Sequence, residues 1–184
     1  MPRRCSRADA EQSVRRPTEQ WQHGRSKYSA SALTSSKSFE KALAAVDAAV
    51  GHPDFNEFRS KLGSTTTYAA MEKTIREVIG PSGLMEFIRF DHGEILRKES
   101  GKGTARIVRF VVGNPLIMKQ MVEHVPDAGS YAPVTILIDE RSAVAHLSYD
   151  TMGSILAPYG SSIASNITKN LDEKIKALLE ATAK

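Results

Sequence analysis

An acid and an imidazole stand next to each other at Asp91 and His92, where an apolar run ends. Carboxylates and imidazoles are common general acids and bases. On an extended strand the two side chains point to opposite faces, so joint action needs a turn, which Gly93 permits. The structural alternative is that Asp91 caps the turn by accepting hydrogen bonds from backbone amides while His92 is solvated. The residue types favour this alternative, and acid–base catalysis at Asp91 and His92 stands beside it as a hypothesis.

Three further residues are candidates for binding a ligand: Arg109, Asn114 and Tyr149. Asn114 precedes Pro115, and this pair is typical of a helix N-cap followed by the first helical position. The amides at such a helix start can also receive an anionic or carbonyl oxygen of a ligand. Arg109 interrupts an apolar strand, where it either supplies charge to a pocket or reaches water. Tyr149 lies on a later strand, on the face opposite to His146.

The pattern of histidine, cysteine and glycine predicts no metal and no cofactor. The histidines show no paired ligand spacing, such as two of them one helical turn apart. They are His23, His52, His92, His124 and His146. The one cysteine, Cys5, cannot form an internal disulfide or a paired-cysteine metal site. The segment from Ser100 to Thr104 lacks the first glycine of a phosphate-binding loop, so we expect a solvated turn there.

Length and charge predict one globular domain behind a basic leader. The chain has 184 residues, of which 41% are hydrophobic and 25% charged. Residues 1–27 carry the whole excess of basic side chains, which gives the net charge of +4. The remainder is neutral and does not predict nucleic-acid binding. We expect a disordered leader at 1–27 and a single domain at 28–184.

Hydropathy speaks against a membrane protein. No stretch approaches about 18 uninterrupted apolar residues. The leader also lacks the apolar segment of a secretory signal, so we expect a cytoplasmic protein. Arg-rich, acid-poor segments direct proteins to mitochondria, and the composition of the leader leaves import open.

The periodicity of the apolar residues predicts an α+β fold. Helical spacing marks residues 39–50, 54–62, 68–79, 115–123 and 161–182, and strand-like runs mark 28–33, 84–91, 105–112, 134–138 and 143–149. Residues 98–104 are expected to form a polar connection. The link at 139–142 is too short for a parallel crossover, so it predicts a hairpin. The expected architecture is a two-layer sandwich, a mainly antiparallel sheet with helices packed against it.

Four segments carry a family resemblance. They are Phe87-Ile-Arg-Phe-Asp-His92, Val112-Gly-Asn-Pro-Leu116, Tyr131-Ala-Pro133 and Ser148-Tyr-Asp150. In their order and spacing the chain resembles the family called domain of unknown function 302, from about Tyr28 to Ala183. It looks closest to the longer eukaryotic, particularly fungal, members. The resemblance implies a small α+β fold that often forms a homodimer, and it implies no established reaction.

These observations support one leading hypothesis and two alternatives. The leading hypothesis is a homodimer that binds a small, partly apolar molecule in a pocket floored by the sheet, near Asp91, Arg109 and Asn114. The first alternative is a cofactor-free acid–base enzyme of isomerase or tailoring type in small-molecule or secondary metabolism, acting through Asp91 or His92. The second is a structural interaction module. Self-association is expected on a separate ground, because the strands are apolar on both faces and too few helices follow them to cover both.

Overall fold

A computed structural model describes residues 29–101 and 106–184, so the predicted leader at 1–27 lies outside the described residues. Five strands form one antiparallel sheet in the order β1-β5-β4-β3-β2. The strands are β1 Ala30–Thr34, β2 Met85–Asp91, β3 Ile107–Gly113, β4 Val134–Arg141 and β5 Val144–Asp150. The helices are α1 Phe39–Ala49, α2 Phe55–Ser64, α3 Tyr68–Arg76, α4 His92–Ser100, α5 Pro115–His124, α6 Met152–Leu156 and α7 Ser162–Ala183. The predicted α+β class and the antiparallel sheet are confirmed.

The main core lies between one face of the sheet and the helices α1 and α7. Strand pairing sets Phe110 opposite Ile136, and Ile136 opposite Tyr149, so these side chains share a face. All three are buried. Val46 of α1 and Ile175 of α7 are fully buried against the same cluster. The amphipathic stripes of the first and last helices therefore cover this face of the sheet.

A smaller core holds the inserted helices at the edge of the sheet. Phe58 of α2 and Ile75 of α3 pack with Met85 at the start of β2 and Leu116 at the start of α5. Asp54 and Thr67 cap the two helices through their side chains. Helices α2 and α3 thus brace the segment in which β2 and α5 begin.

The opposite face of the sheet is less covered. Ile88 and Phe90 on the edge strand β2 are 48% and 39% exposed. The neighbouring strands add Val111 and Leu137, which are half-buried. Register places Ile88 beside Val111, so the exposed apolar side chains are contiguous. This arrangement agrees with the expectation of a sheet face that the chain's own helices leave open.

The prediction of a polar connection at 98–104 is wrong for its first three residues, which belong to α4. The missed signal is a capping pattern, an Asp91 side chain that accepts from the amide of Glu94. Gly101 then ends the helix with a φ of 64°, in the left-handed region that favours glycine. The short helix α6 was also missed.

The predicted hairpin is confirmed, but its turn lies two residues later than expected. Ser142 and Ala143 form the turn, with φ angles of 51° and 64°. Asp139 suggested a turn because of its polarity, yet it lies in the ladder and is 7% exposed. Its carboxylate accepts a hydrogen bond from Arg141 Nε at 2.5 Å.

Among the described residues, no helix has the length and apolar character to cross a bilayer.

Candidate functional site

The Asn114 turn joins the end of β3 to the start of α5. The Asn114 side chain accepts a hydrogen bond from the amide of Leu116 at 2.8 Å and donates one to the carbonyl of Gly83 at 2.9 Å. The amides of Ile117 and Met118 donate to the Asn114 carbonyl oxygen. The predicted N-cap is confirmed. These three amides have partners within the chain, so this helix start offers little free donor capacity to an anion.

An apolar pocket of about 180 Å³ lies beside this turn, where β3 ends and β4 begins. It is lined by Phe87, Gly113, Asn114, Pro115, Ile117, Met118, Met121, Gly129, Ala132, Pro133, Val134 and Leu171. The lining includes one planar aromatic ring, two proline rings and two methionine thioethers. Among residues 29–101 and 106–184, no charged side chain lines it. The pocket is therefore suited to van der Waals contact rather than to ion pairing.

Local backbone features position the walls of the pocket. The register of β2 against β3 shifts between Glu86 and Ile88, which leaves Phe87 in a bulge. The Phe87 ring packs against Phe55 of α2 at a centroid distance of 5.8 Å. A Cβ atom at Gly113 would lie 3.2 Å from Pro133 Cβ and 3.4 Å from Phe87 Cε2. Glycine at this position keeps the two walls close together without a side chain between them.

Asp91 lies at the other end of β3 from this pocket, paired with Val108. Its carboxylate caps α4 through the Glu94 amide at 2.9 Å and accepts from Arg97 Nη2 at 2.7 Å. Burial acts to raise the pKa of Asp91, but the hydrogen bonds from Arg97 and from the backbone outweigh it and hold the pKa below its ordinary value. Asp91 is thus an ionised cap at neutral pH. The His92 ring is exposed and stacks on Phe90 at 5.9 Å.

Arg109 is also distant from the Asn114 turn. Its guanidinium donates to Thr135 Oγ1 at 3.0 Å and lies over the Phe90 ring at 5.8 Å. Arg109 and Asn114 are five residue steps apart along an extended chain, which is roughly 17 Å. Arg109 faces the open side of the sheet, and Asp91 pairs with Val108 on the helix-covered side. The structure therefore does not gather Asp91, Arg109 and Asn114 into one pocket.

Tyr149 is buried in the main core and does not line the pocket. Its hydroxyl donates to Asp172 Oδ1 at 2.6 Å. Burial raises the pKa of Tyr149 far above its usual range, and the hydrogen bond to Asp172 raises it further. The Asp172 carboxylate also accepts from the amides of Met152 and Gly153, at 2.9 and 3.0 Å. Tyr149 and Asp172 together fix the start of α6 on α7.

Sequence reasoning missed most of the pocket because its lining is apolar. Phe87, Met118 and Met121 carry no sign of chemistry in their residue types alone. The usable signal was the family resemblance, whose segments include Phe87, the Asn114 turn and Pro133. These segments meet at the pocket, although no spacing rule joins them.

Comparisons with known proteins agree with this fold. Residues 59–182 match the family described as "Domain of unknown function DUF302". A crystal structure of an uncharacterized conserved DUF302 protein from Bacillus stearothermophilus superimposes with a TM-score of 0.59 at 10% identity, covering 83% of this chain and 97% of that chain. At this identity the likeness concerns the fold. No curated protein matches the sequence.

Proposed function

We propose that the chain, which belongs to the DUF302 family, binds a small neutral molecule of about one ring in size in the pocket beside Asn114. The apolar pocket of about 180 Å³ carries this proposal. An apolar cavity of about 150 Å³ is large enough to bind benzene. The fold supplies the pocket by bracing β2 and α5 with the smaller core.

The lining selects for neutral ligands with flat apolar surfaces. Phe87, Pro115 and Pro133 present ring faces, and Met118 and Met121 present polarizable thioethers that contact aromatic rings favourably. A charged ligand would lose hydration without gaining a partner, because the described residues that line the pocket include no charged side chain. Asn114 remains the polar residue nearest the ligand, with both ends of its amide occupied.

The alternative of acid–base catalysis at Asp91 or His92 receives no support from this geometry. A carboxylate whose pKa is held low is a weak base at neutral pH. The His92 ring stacks on the Phe90 ring, a contact that does not orient the imidazole as a general base. We therefore move the proposed ligand from the Asp91 end of β3 to the Asn114 end.

We infer in addition that a second copy of the chain covers the open sheet face, in a cytoplasmic homodimer. The exposed side chains of Ile88 and Phe90 support this partner, since contiguous apolar surface on a monomer marks an interaction site. Light scattering on the purified chain should give about twice its mass of 20.1 kDa. A monomer at micromolar concentration would argue against the dimer.

The likeness to the longer fungal members of the family remains a proposal based on sequence alone.

The binding proposal is tested by filling the pocket. Ala132 lines it and is half-buried, so Ala132→Phe places a benzyl group where the ligand would sit. Toluene and indole serve as neutral one-ring and two-ring probes in a thermal-shift titration. At 100 times Kd a ligand stabilises by about 2.7 kcal/mol, which is roughly 5–10 °C in Tm for a chain of this size.

Ala48→Phe is the matched control, because Ala48 is exposed on α1 and does not line the pocket. The proposal expects toluene to raise the Tm of the wild type and of Ala48→Phe, and to leave that of Ala132→Phe unchanged. Equal responses in all three proteins, or no response to either probe in the wild type, would contradict it.

A further inference from the structure

A cluster of potential metal ligands lies away from the pocket, where the end of α1 meets β2. Asp47, His52 and Glu86 each place one ligand atom within 4.8 Å of the others. They come from three separate segments, the helix α1, the turn after it and the strand β2. The His52 and Asp47 side chains are 44% and 45% exposed, whereas that of Glu86 is only 14% exposed. An ion from solvent can therefore reach a carboxylate that is itself mostly buried.

The backbone holds these residues together. Gly51 forms a bridge with Met85, and it exchanges hydrogen bonds with the Leu84 carbonyl and the Glu86 amide, each near 2.8–2.9 Å. A Cβ atom at Gly51 would overlap the carbonyl oxygen of Val78, so only glycine fits at this crossing. His52 and Glu86 follow directly on the two bridged residues. Their proximity is therefore a property of the fold and not of two mobile side chains.

The two ring nitrogens of His52 face different groups. Nε2 lies 2.8 Å from the backbone carbonyl oxygen of Asp47, which can only accept, so Nε2 carries a proton. Nδ1 lies 3.4 Å from Glu86 Oε2. A metal ion placed between these two atoms would contact both of them. A backbone carbonyl that fixes the far nitrogen is also the usual support of a metal-bound histidine.

From this arrangement the geometry points to a site for a divalent transition-metal ion, with Zn²⁺ as its probe, held by His52 Nδ1, Glu86 and Asp47. One imidazole and two carboxylates form a ligand set that Zn²⁺ accepts. Ligands about 2.0–2.2 Å from a tetrahedral Zn²⁺ lie roughly 3.4 Å apart, which matches the separation of Nδ1 and Oε2. Asp47 Oδ1 lies 3.6 Å from Nε2, the other ring nitrogen, so the exposed Asp47 side chain would rotate to supply the third ligand.

Arg89 is the competitor for this site. Its Nη2 donates to Glu86 Oε2 at 2.6 Å and to Asp47 Oδ1, so one positive charge already lies between the two carboxylates. The guanidinium also lies 4.5 Å from the centre of the Phe110 ring, a contact that it makes at the same time as the two ion pairs. A metal ion must displace Arg89 from at least one carboxylate. Removal of Arg89 should therefore strengthen metal binding, and the loss of binding in a His52 variant distinguishes a site with an imidazole ligand from cation attraction to two carboxylates.

The test is calorimetric titration of the metal-free full chain with Zn²⁺ alone. The wild type should bind Zn²⁺ with micromolar or tighter affinity, His52→Ala should weaken that binding at least tenfold, and Arg89→Gln should tighten it. His124→Ala is the matched control, because His124 is an exposed histidine on α5 and its loss should change nothing.

Three results would overturn the site. The first is that the wild type binds no Zn²⁺, whether or not Arg89→Gln binds it. The second is that His52→Ala binds Zn²⁺ as tightly as the wild type does. The third is that Arg89→Gln binds Zn²⁺ more weakly than the wild type does. Circular dichroism on each variant confirms that the fold is retained, which these partly exposed positions favour.

Discussion

The two ends of β3 differ in what their polar residues do. At the Asp91 end, a carboxylate, an imidazole and a guanidinium lie near the surface, and each has a partner in Arg97, Phe90 or Thr135. At the Asn114 end there is one polar side chain and a pocket of about 180 Å³. The end richer in reactive residue types is thus occupied by its own contacts, and the end poorer in them has unfilled apolar volume. This difference is why we propose that a ligand binds at the Asn114 end.

The largest loss of folding stability is expected at neither end of β3 but in the core beneath α6. Asp172→Ala removes the acceptor of the buried Tyr149 hydroxyl and of the half-buried Gly153 amide, while the Met152 amide keeps the Tyr149 oxygen as a second acceptor. Each unsatisfied buried group costs about 1–3 kcal/mol, so we expect chemical denaturation to show a loss of about 3 kcal/mol in the free energy of unfolding. The neighbouring exposed position provides a control in Glu173→Ala. If the folded Asp172→Ala protein loses toluene binding, Tyr149 belongs with the site after all and the comparison of the two ends is incomplete.

A smaller effect is expected at the pocket end. Asn114→Ala removes the cap of α5 and the hydrogen bond to the Gly83 carbonyl. The loss of a cap costs about 1 kcal/mol, and the second hydrogen bond adds about the same amount. Urea denaturation measures the sum. Because Asn114 lines the pocket, the same change should weaken toluene binding, and a variant that is destabilised but binds normally would move the ligand away from this turn.

The smallest loss of folding stability is expected at the Asp91 end of β3. Asp91→Asn keeps the shape of the cap and removes the ion pair with Arg97, which for a half-exposed pair is worth less than about 1 kcal/mol. The folded pKa of Asp91 lies below its ordinary value, so its charge stabilises the fold above that ordinary value, near 4. This contribution is lost as the pH falls through the lower, folded pKa.

Stability measured against pH distinguishes the two proteins. The difference between the wild type and Asp91→Asn should be constant at neutral pH and should shrink below about pH 4. If the stability difference instead changed around pH 6 to 7, the pH dependence would belong to a group other than Asp91. Toluene binding should be the same in both proteins, and a loss of binding in Asp91→Asn would return the site to this end of β3.

Much of the fold follows from local patterns. The apolar stripe of α7 and the β-branched run of β3 were sufficient to place these elements, because burial on one face dictates their periodicity. Helix α4 was missed because its Ile95 and Leu96 are exposed, so no buried stripe marks it. Its start was nevertheless encoded in the cap formed by Asp91 with Glu94.

The candidate site was less predictable because its parts meet only through tertiary structure. The Asn114 cap was predictable from the Asn-Pro pair, since capping is a local interaction. The meeting of Phe87, Met118 and Pro133 depends on a bulge, a helix and a neighbouring strand that are far apart in sequence. The partner of Tyr149 was unpredictable for the same reason, because Asp172, which accepts from its hydroxyl, lies on the last helix.

The most direct test of the central claim is methyl NMR of the full chain labelled at methionine. The six methionines include Met118 and Met121 in the pocket, and Met71, Met85 and Met152 elsewhere in the described structure. On titration with toluene, the resonances of Met118 and Met121 should shift through ring currents in proportion to occupancy, while the other three stay in place. Shifts confined to the other methionines, or no shift at saturating toluene, would contradict a ligand site beside Asn114.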